Sequence, residues 1–209
     1  MECMNTGDLL MLGYKDPDFF GRRILQATGA VHIHDELLVR GRDGVLYCAY
    51  AHAPYFELIP FQHRLDQLSA GKVMFAVVRW AKFADPDHAD CPYYRAWRGQ
   101  VSASLKTMAE LKIPYDTNTI VSMGRNFVRE KVPLLKPIVK VVEHKVYCTE
   151  SCRIAYKITE IDMFRTLPKQ EYVSPIHTER AYMNGSFKLV EDFGLIDLLE
   201  VHRGKFKHN

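Results

Sequence analysis

Two apolar segments, "VHIHDELLVR" (31–40) and "GVLYCAYAHA" (44–53), flank the polar turn "GRDG" (41–44). Short β-branched and aromatic runs on either side of a Gly-Asp-Gly turn predict a β-hairpin, and with it an antiparallel sheet. "YFELIPF" adds a third strand, and "KVMFAVVRWA" (72–81) reads as a fourth. Ahead of them, "GDLLMLGY" (7–14) reads as a short apolar strand after a Gly-Asp turn. These runs are too short for helices and too numerous for a helical bundle.

The helices fall between and after the strands. "DPDFFGRRILQATGA" (16–30) places Phe19, Phe20, Ile24 and Leu25 near helical spacing, with Gly29 as its stop. "QHRLDQLSAG" reads as a helical turn. A long helix is expected over 93–112, with an apolar stripe of Ala96, Val101, Leu105, Met108 and Leu111. "IVSMGRNFVREK" reads as a further helix, "VPLLKPIVKVVEH" as a Pro-broken connector, and "VYCTESCRIAYK" (146–157) as a helix beginning near Cys148. "SPIHTERAYMNG" predicts a short helix, and "SFKLVEDFG" a closing strand. The order predicts an α+β domain, helices packed on an antiparallel sheet. One domain over 1–209 is expected, because residues 160–209 are too few to fold alone and complete it as an extension.

The formal charge of +3 over 209 residues is too small to indicate nucleic acid. The basic-aromatic segments "RWAKF", "YYRAWRG" and "HRGKFKHN" are short and scattered, so no nucleic-acid partner is expected. No apolar run reaches the roughly 18 residues of a membrane span. "MECMNTGDLLMLGYKD" has no basic region leading into a long apolar stretch, so no signal peptide is expected and the expected location is cytoplasmic. Five irregularly spaced cysteines, Cys3, Cys48, Cys91, Cys148 and Cys152, predict free thiols rather than a disulfide framework.

Cys148 and Cys152 lie four apart. As metal ligands they would need two more, drawn from scattered residues such as Cys91, His88 or His144, so no metal is expected. As core residues they would share a helix face. As a nucleophile, Cys148 is the better placed, because a helix N-terminus has free N–H groups and partial positive charge that stabilise a thiolate. Cys152, one turn inside, gains none of this. A thiol nucleophile needs a base. His34 is the candidate among nine histidines, because the hairpin sets it roughly opposite Tyr50, with His52 on the same face, subject to a slip of a residue or two.

Several local patterns then line up in order. "GDLLML" (7–12), "LQATGAVHIHDELLV" (25–39), "IPYDTN" (113–118), "VYCTESCRIAY" (146–156) and "SPIHTERAYMNGSFKLV" (174–190) resemble successive motifs of circularly permuted NlpC/P60-type cysteine hydrolases. These are papain-like enzymes in which the histidine precedes the cysteine. The resemblance implies a papain-like antiparallel sheet or half-barrel with packed helices, Cys148 as nucleophile and His34 as base. It further implies Glu150 as an acidic neighbour, and Tyr115 and Asp116 as pocket residues. Asp35 and Glu36 depart from the family, which has small or apolar residues after the histidine. The family's acid on the next strand has no counterpart near Ala49 or Tyr50. The third catalytic member is therefore open between Tyr50, His52 and none. The implied activity is hydrolysis of an amide or ester through an acyl-enzyme, without a cofactor. The implied substrates are a peptide, a peptidoglycan stem peptide or a lipid acyl group, and Phe19, Phe20, Tyr55 and Phe56 are either acyl-facing or core. The alternative is a non-catalytic binding protein, or a virion or phage component, on the same scaffold.

Overall fold

The computed structural model describes residues 3–84, 91–116, 147–157 and 174–206. The helix expected from "IVSMGRNFVREK", the Pro-broken connector, His88 and His144 lie outside the described residues. The chain runs β1 (Leu9–Tyr14), α1 (Phe19–Thr28), β2 (His34–Arg40), β3 (Leu46–Ala51), β4 (Phe56–Pro60), α2 (Gln62–Ser69) and β5 (Val73–Trp80). It continues through α3 (Pro92–Glu110), α4 (Cys148–Lys157), α5 (Pro175–Met183), β6 (Phe187–Phe193) and α6 (Ile196–Phe206). The strands form one six-stranded antiparallel sheet in the order β4-β3-β2-β1-β5-β6. The class is α+β, and residues 187–193 belong to the same sheet as the N-terminal strands.

The run Leu9-Leu10-Met11-Leu12 is apolar at every position because β1 is covered on both faces. Leu9 and Met11 join Leu37, Val39, Ala49, Ala76 and Val78 under α3 and α4. Leu10 and Leu12 join Leu38, Cys48, Phe75 and Val77, with Leu65 and Leu68 of α2 packed against them. Continuous apolarity is what a strand buried on two sides requires. Burying one such side chain stabilises the fold by about 1.5–3 kcal/mol.

Helix α1 is capped by Asp18, whose carboxylate accepts from Gly21 N, and it ends at Gly29 in the left-handed region (φ 67°). On α3 the buried residues are Tyr94, Trp97, Val101, Leu105 and Met108. The expected stripe fails at both ends: Ala96 is exposed and Leu111 is 67% exposed. The two aromatics set the buried face instead. Trp97 stacks between Phe83, Tyr94 and Tyr156, with ring centroids 4.8–5.6 Å apart, and that rotates the helix away from Ala96.

The helix α6 was not expected. Asp192 starts it by accepting from Leu195 N and Ile196 N, each at 3.1 Å. Its Leu199 is buried with Leu195 and Ile196 in the α3–α4 core. Of the four aromatics read as acyl-facing or core, Phe56 is core at 1% exposure, while Phe19 (67%) and Tyr55 (48%) are exposed.

Candidate active site

The site forms where β2 and β3 part. Their ladder runs from Arg40↔Leu46 to Leu37↔Ala49. Residues 34–36 pair only with β1, as Leu12↔His34, Met11↔Asp35 and Leu10↔Glu36. The β2–β3 register differs by two residues from the one expected: continued, it would set Glu36, not His34, beside Tyr50. Where β2 is released from β3, the main chain of Asp35 comes close enough to the Cys148 thiol to lower its pKa.

Cys148 opens α4. The first N–H of the helix to be satisfied within it is that of Ser151, donated to Tyr147 O at 2.9 Å. The N–H groups of residues 148–150 therefore precede the helical ladder, the usual state of a first turn. Glu150, three residues beyond Tyr147, takes the Tyr147 N–H, the returning half of a capping box.

The thiol and the His34 imidazole lie close enough for the charge of each to act on the other, and the thiol also lies 3.8 Å from Thr149 Oγ1. Both groups are buried, at 6% and 8% exposure. Burial alone would raise the thiol and lower the imidazole. It is outweighed by the charge that each presents to the other. The Cys148 pKa falls below its ordinary value. That of His34 rises to about 10, with Glu36 contributing. These shifts favour a thiolate–imidazolium pair. Cys152 has no such partner, and burial pushes its thiol well up.

Behind His34 stands Glu36, with Oε1 3.1 Å from His34 Nε2. Glu36 is fully buried and is held from its far side by the Arg64 guanidinium of α2, through both Nε and Nη2. Burial would raise the Glu36 carboxyl, but His34 and Arg64 bring it below its ordinary value. The carboxylate beside the imidazole is thus two residues along His34's own strand; the 3.1 Å approach does not have hydrogen-bond geometry, and His34 Nε2 has no hydrogen-bond partner among the described residues. The family pattern has its acid on the next strand, whereas Glu36 is one of the two residues that depart from that pattern just after the histidine. Period-two alternation puts His34 and Glu36 on one face, and that signal was available. The pairing of Glu36 with Arg64 was not.

Tyr50 packs edge-on against His34 at 5.4 Å between ring centroids, and Arg64 lies over its other side at 4.6 Å. His52 is exposed, stacks on Tyr50 at 5.1 Å and has Nδ1 2.8 Å from Ala53 O. Both are near the pair, and neither occupies the position of Glu36.

His34 and Cys148 open into a cavity of about 470 Å³ walled by Tyr14, Ile24, Ile33, Tyr50, His52 and Tyr115. Tyr115 lies close enough for the charge of Cys148, after burial, to raise its phenol. Asp116 is 1% exposed and does not line this cavity. Glu150 lies beside it, and burial, reinforced by the Asp116 charge, raises Glu150 to about 7. Among the described residues, no group of three or more His, Cys, Asp or Glu is arranged to hold a metal. All five cysteines are free. No helix among the described residues is long and apolar enough to cross a membrane.

No protein-family model matches the sequence, and no curated protein matches it.

Proposed function

We propose that the chain is a thiol hydrolase of the permuted NlpC/P60, papain-like kind, cleaving an amide or ester through an acyl-enzyme. The observation that carries this reading is the Cys148–His34 pair, with its opposed pKa shifts, in the lining of a cavity. Paired shifts of this kind in a cleft are characteristic of nucleophile and base.

In the mechanism, His34 takes the Cys148 proton before substrate arrives. The thiolate attacks the carbonyl carbon, and the carbonyl π electrons move to oxygen. The N–H groups at the start of α4 face the developing oxyanion. His34⁺ then gives its proton to the departing amine or alcohol as the C–N or C–O bond breaks. Water, deprotonated by His34, attacks the thioester and releases the acid and the thiol. Glu36 stabilises the charged form of the imidazole, one task of the third member in such triads. Tyr14, Ile24, Ile33, Tyr50 and Tyr115 give the cavity apolar walls, and Asp16 and Asp18 add carboxylates to its lining, which suits an acyl group or side chain carrying both apolar and polar or cationic atoms.

The test is the rate of Cys148 alkylation by iodoacetamide against pH, read by mass spectrometry, in wild type and His34→Ala. A thiolate titrating well below the free value of about 8.5, and shifting up without His34, supports the reading. An ordinary thiol that ignores the mutation returns the chain to a non-catalytic binding scaffold.

A further inference from the structure

A second polar assembly lies beside the pair, entirely buried. His32 is sandwiched between two carboxylates: Nε2 is 2.9 Å from Asp35 Oδ1, and Nδ1 is 2.8 Å from Glu179 Oε1. Asp35 Oδ2 accepts from Thr149 Oγ1 at 2.7 Å and from Thr178 Oγ1 at 3.0 Å. Glu179 Oε1 also accepts the main-chain N–H groups of Val31 and His32, at 2.6 and 3.1 Å. His32, Asp35, Thr149 and Thr178 are 0% exposed, and Glu179 is 2% exposed. Three elements distant in sequence meet here: the start of β2, the first turn of α4 and the first turns of α5.

We infer that this assembly positions the nucleophile: Asp35, held by Thr178 and by His32, which Glu179 holds in turn, fixes the first turn of α4 so that the Cys148 thiol meets His34. The inference rests on the Cys148–His34 reading above. The Asp35 carboxylate anchors Thr149, the residue after the nucleophile, and the same Thr149 Oγ1 lies 3.8 Å from Cys148 Sγ. The Asp35 main chain also acts to lower the thiol pKa.

A bare carboxylate next to a thiolate would oppose it, and the Asp35 charge does push the thiol up. His32 offsets that charge. Burial disfavours a charged imidazole, but Asp35 and Glu179 raise His32 to about 10, so the assembly holds an imidazolium between two acids. Buried charges of this kind are tolerated only when paired and hydrogen-bonded.

Thr178 and Glu179 provide the decisive test, because they reach the thiol only through Asp35 and His32. The titratable groups around the thiol itself are His34, Asp35 and Tyr115, with Cys152 one turn along. The Cys148 alkylation profile is measured against pH in wild type, His34→Ala, Thr178→Val, Thr178→Ser and Glu179→Gln, with circular dichroism on each. The expected result is an upward shift of the Cys148 midpoint by about one unit in Thr178→Val, a roughly tenfold fall in the thiol's acid dissociation constant. Thr178→Ser should restore the wild-type midpoint. Glu179→Gln, where it folds, should shift in the same direction as Thr178→Val. A folded Thr178→Val with an unchanged midpoint, beside a His34→Ala that does shift, overturns the positioning role and leaves the pair standing. An ordinary wild-type midpoint, insensitive to His34→Ala, overturns both.

Discussion

Glu36 lies two residues beyond His34 on β2, its Oε1 3.1 Å from His34 Nε2, and the same carboxylate is gripped by Arg64 from the other side. The histidine therefore lies against a buried ion pair between a strand and α2. Replacing Glu36 by Ala leaves the Arg64 guanidinium uncompensated at 1% exposure. The expected cost is about 3–5 kcal/mol, seen as a lower urea midpoint. Glu36→Leu with Arg64→Leu removes both charges and is expected to recover much of that loss. The double variant should nevertheless show a raised Cys148 thiol pKa, since His34 has lost its ion-pair partner.

The three buried cysteines differ sharply in environment. Burial raises the thiols of Cys48 and Cys152 well above the ordinary value, while His34 brings that of Cys148 below it. At pH 7, substoichiometric iodoacetamide should modify Cys148 before either of the others, as read by peptide mass spectrometry. Cys148→Ala should keep the native circular dichroism and lose hydrolysis of an activated ester. Cys152→Ala should retain hydrolysis at a modest cost in stability.

His32 predicts a particular dependence of stability on pH. Its pKa is about 10 in the fold against an ordinary value of 6.5. Between those values the folded chain binds more protons than the unfolded one, so stability falls as pH rises. The contribution is complete below about pH 6.5 and gone above about pH 10. His32→Gln should have a lower Tm at pH 6 and a flatter decline over this window. A wild-type slope equal to that of the variant would remove His32 as its source.

Glu150 gives a second window with the same sign. Burial, then the Asp116 charge, raises it from 4.5 to about 7. The native state again holds the extra proton, so stability falls as pH rises from about 4.5 to about 7. Glu150→Gln keeps an acceptor for the Tyr147 N–H and removes the charge. Its Tm at pH 8 should equal or exceed that of wild type, while at pH 4 the two should coincide.

Much of this architecture was legible in local pattern. The hairpin over 31–53 was marked by its turn, and the start of α4 by the block around Cys148, because both are set by neighbours in sequence. What escaped was set across the fold. Ala96 and Leu111 fit a helical stripe, but the buried face of α3 turns toward Phe83 and Tyr156, which no local window contains. Helix α6 was hidden by Gly194, read as the end of β6. The signals present were Asp192 ahead of an apolar Leu195, Ile196 and Leu199, which suit a capped helix. At the site, the strand alternation that selects Glu36 was readable. The decisive partners, Arg64 for Glu36 and Glu179 for His32, are 28 and 147 residues away.

Five strands of the sheet lie within residues 9–80, whereas Cys148 and Glu179 come late in the chain. During synthesis, which delivers the N-terminal part first, the histidine strand exists long before its cysteine. The emerging Cys148 is then an ordinary thiol, with neither an imidazole nor the Asp35 main chain to lower its pKa. The lowered thiol pKa arises only when α4 seats on β2. A nascent or misfolded copy carries the residue with an ordinary thiol, so the titration of Cys148 reports whether the two ends of the chain have met.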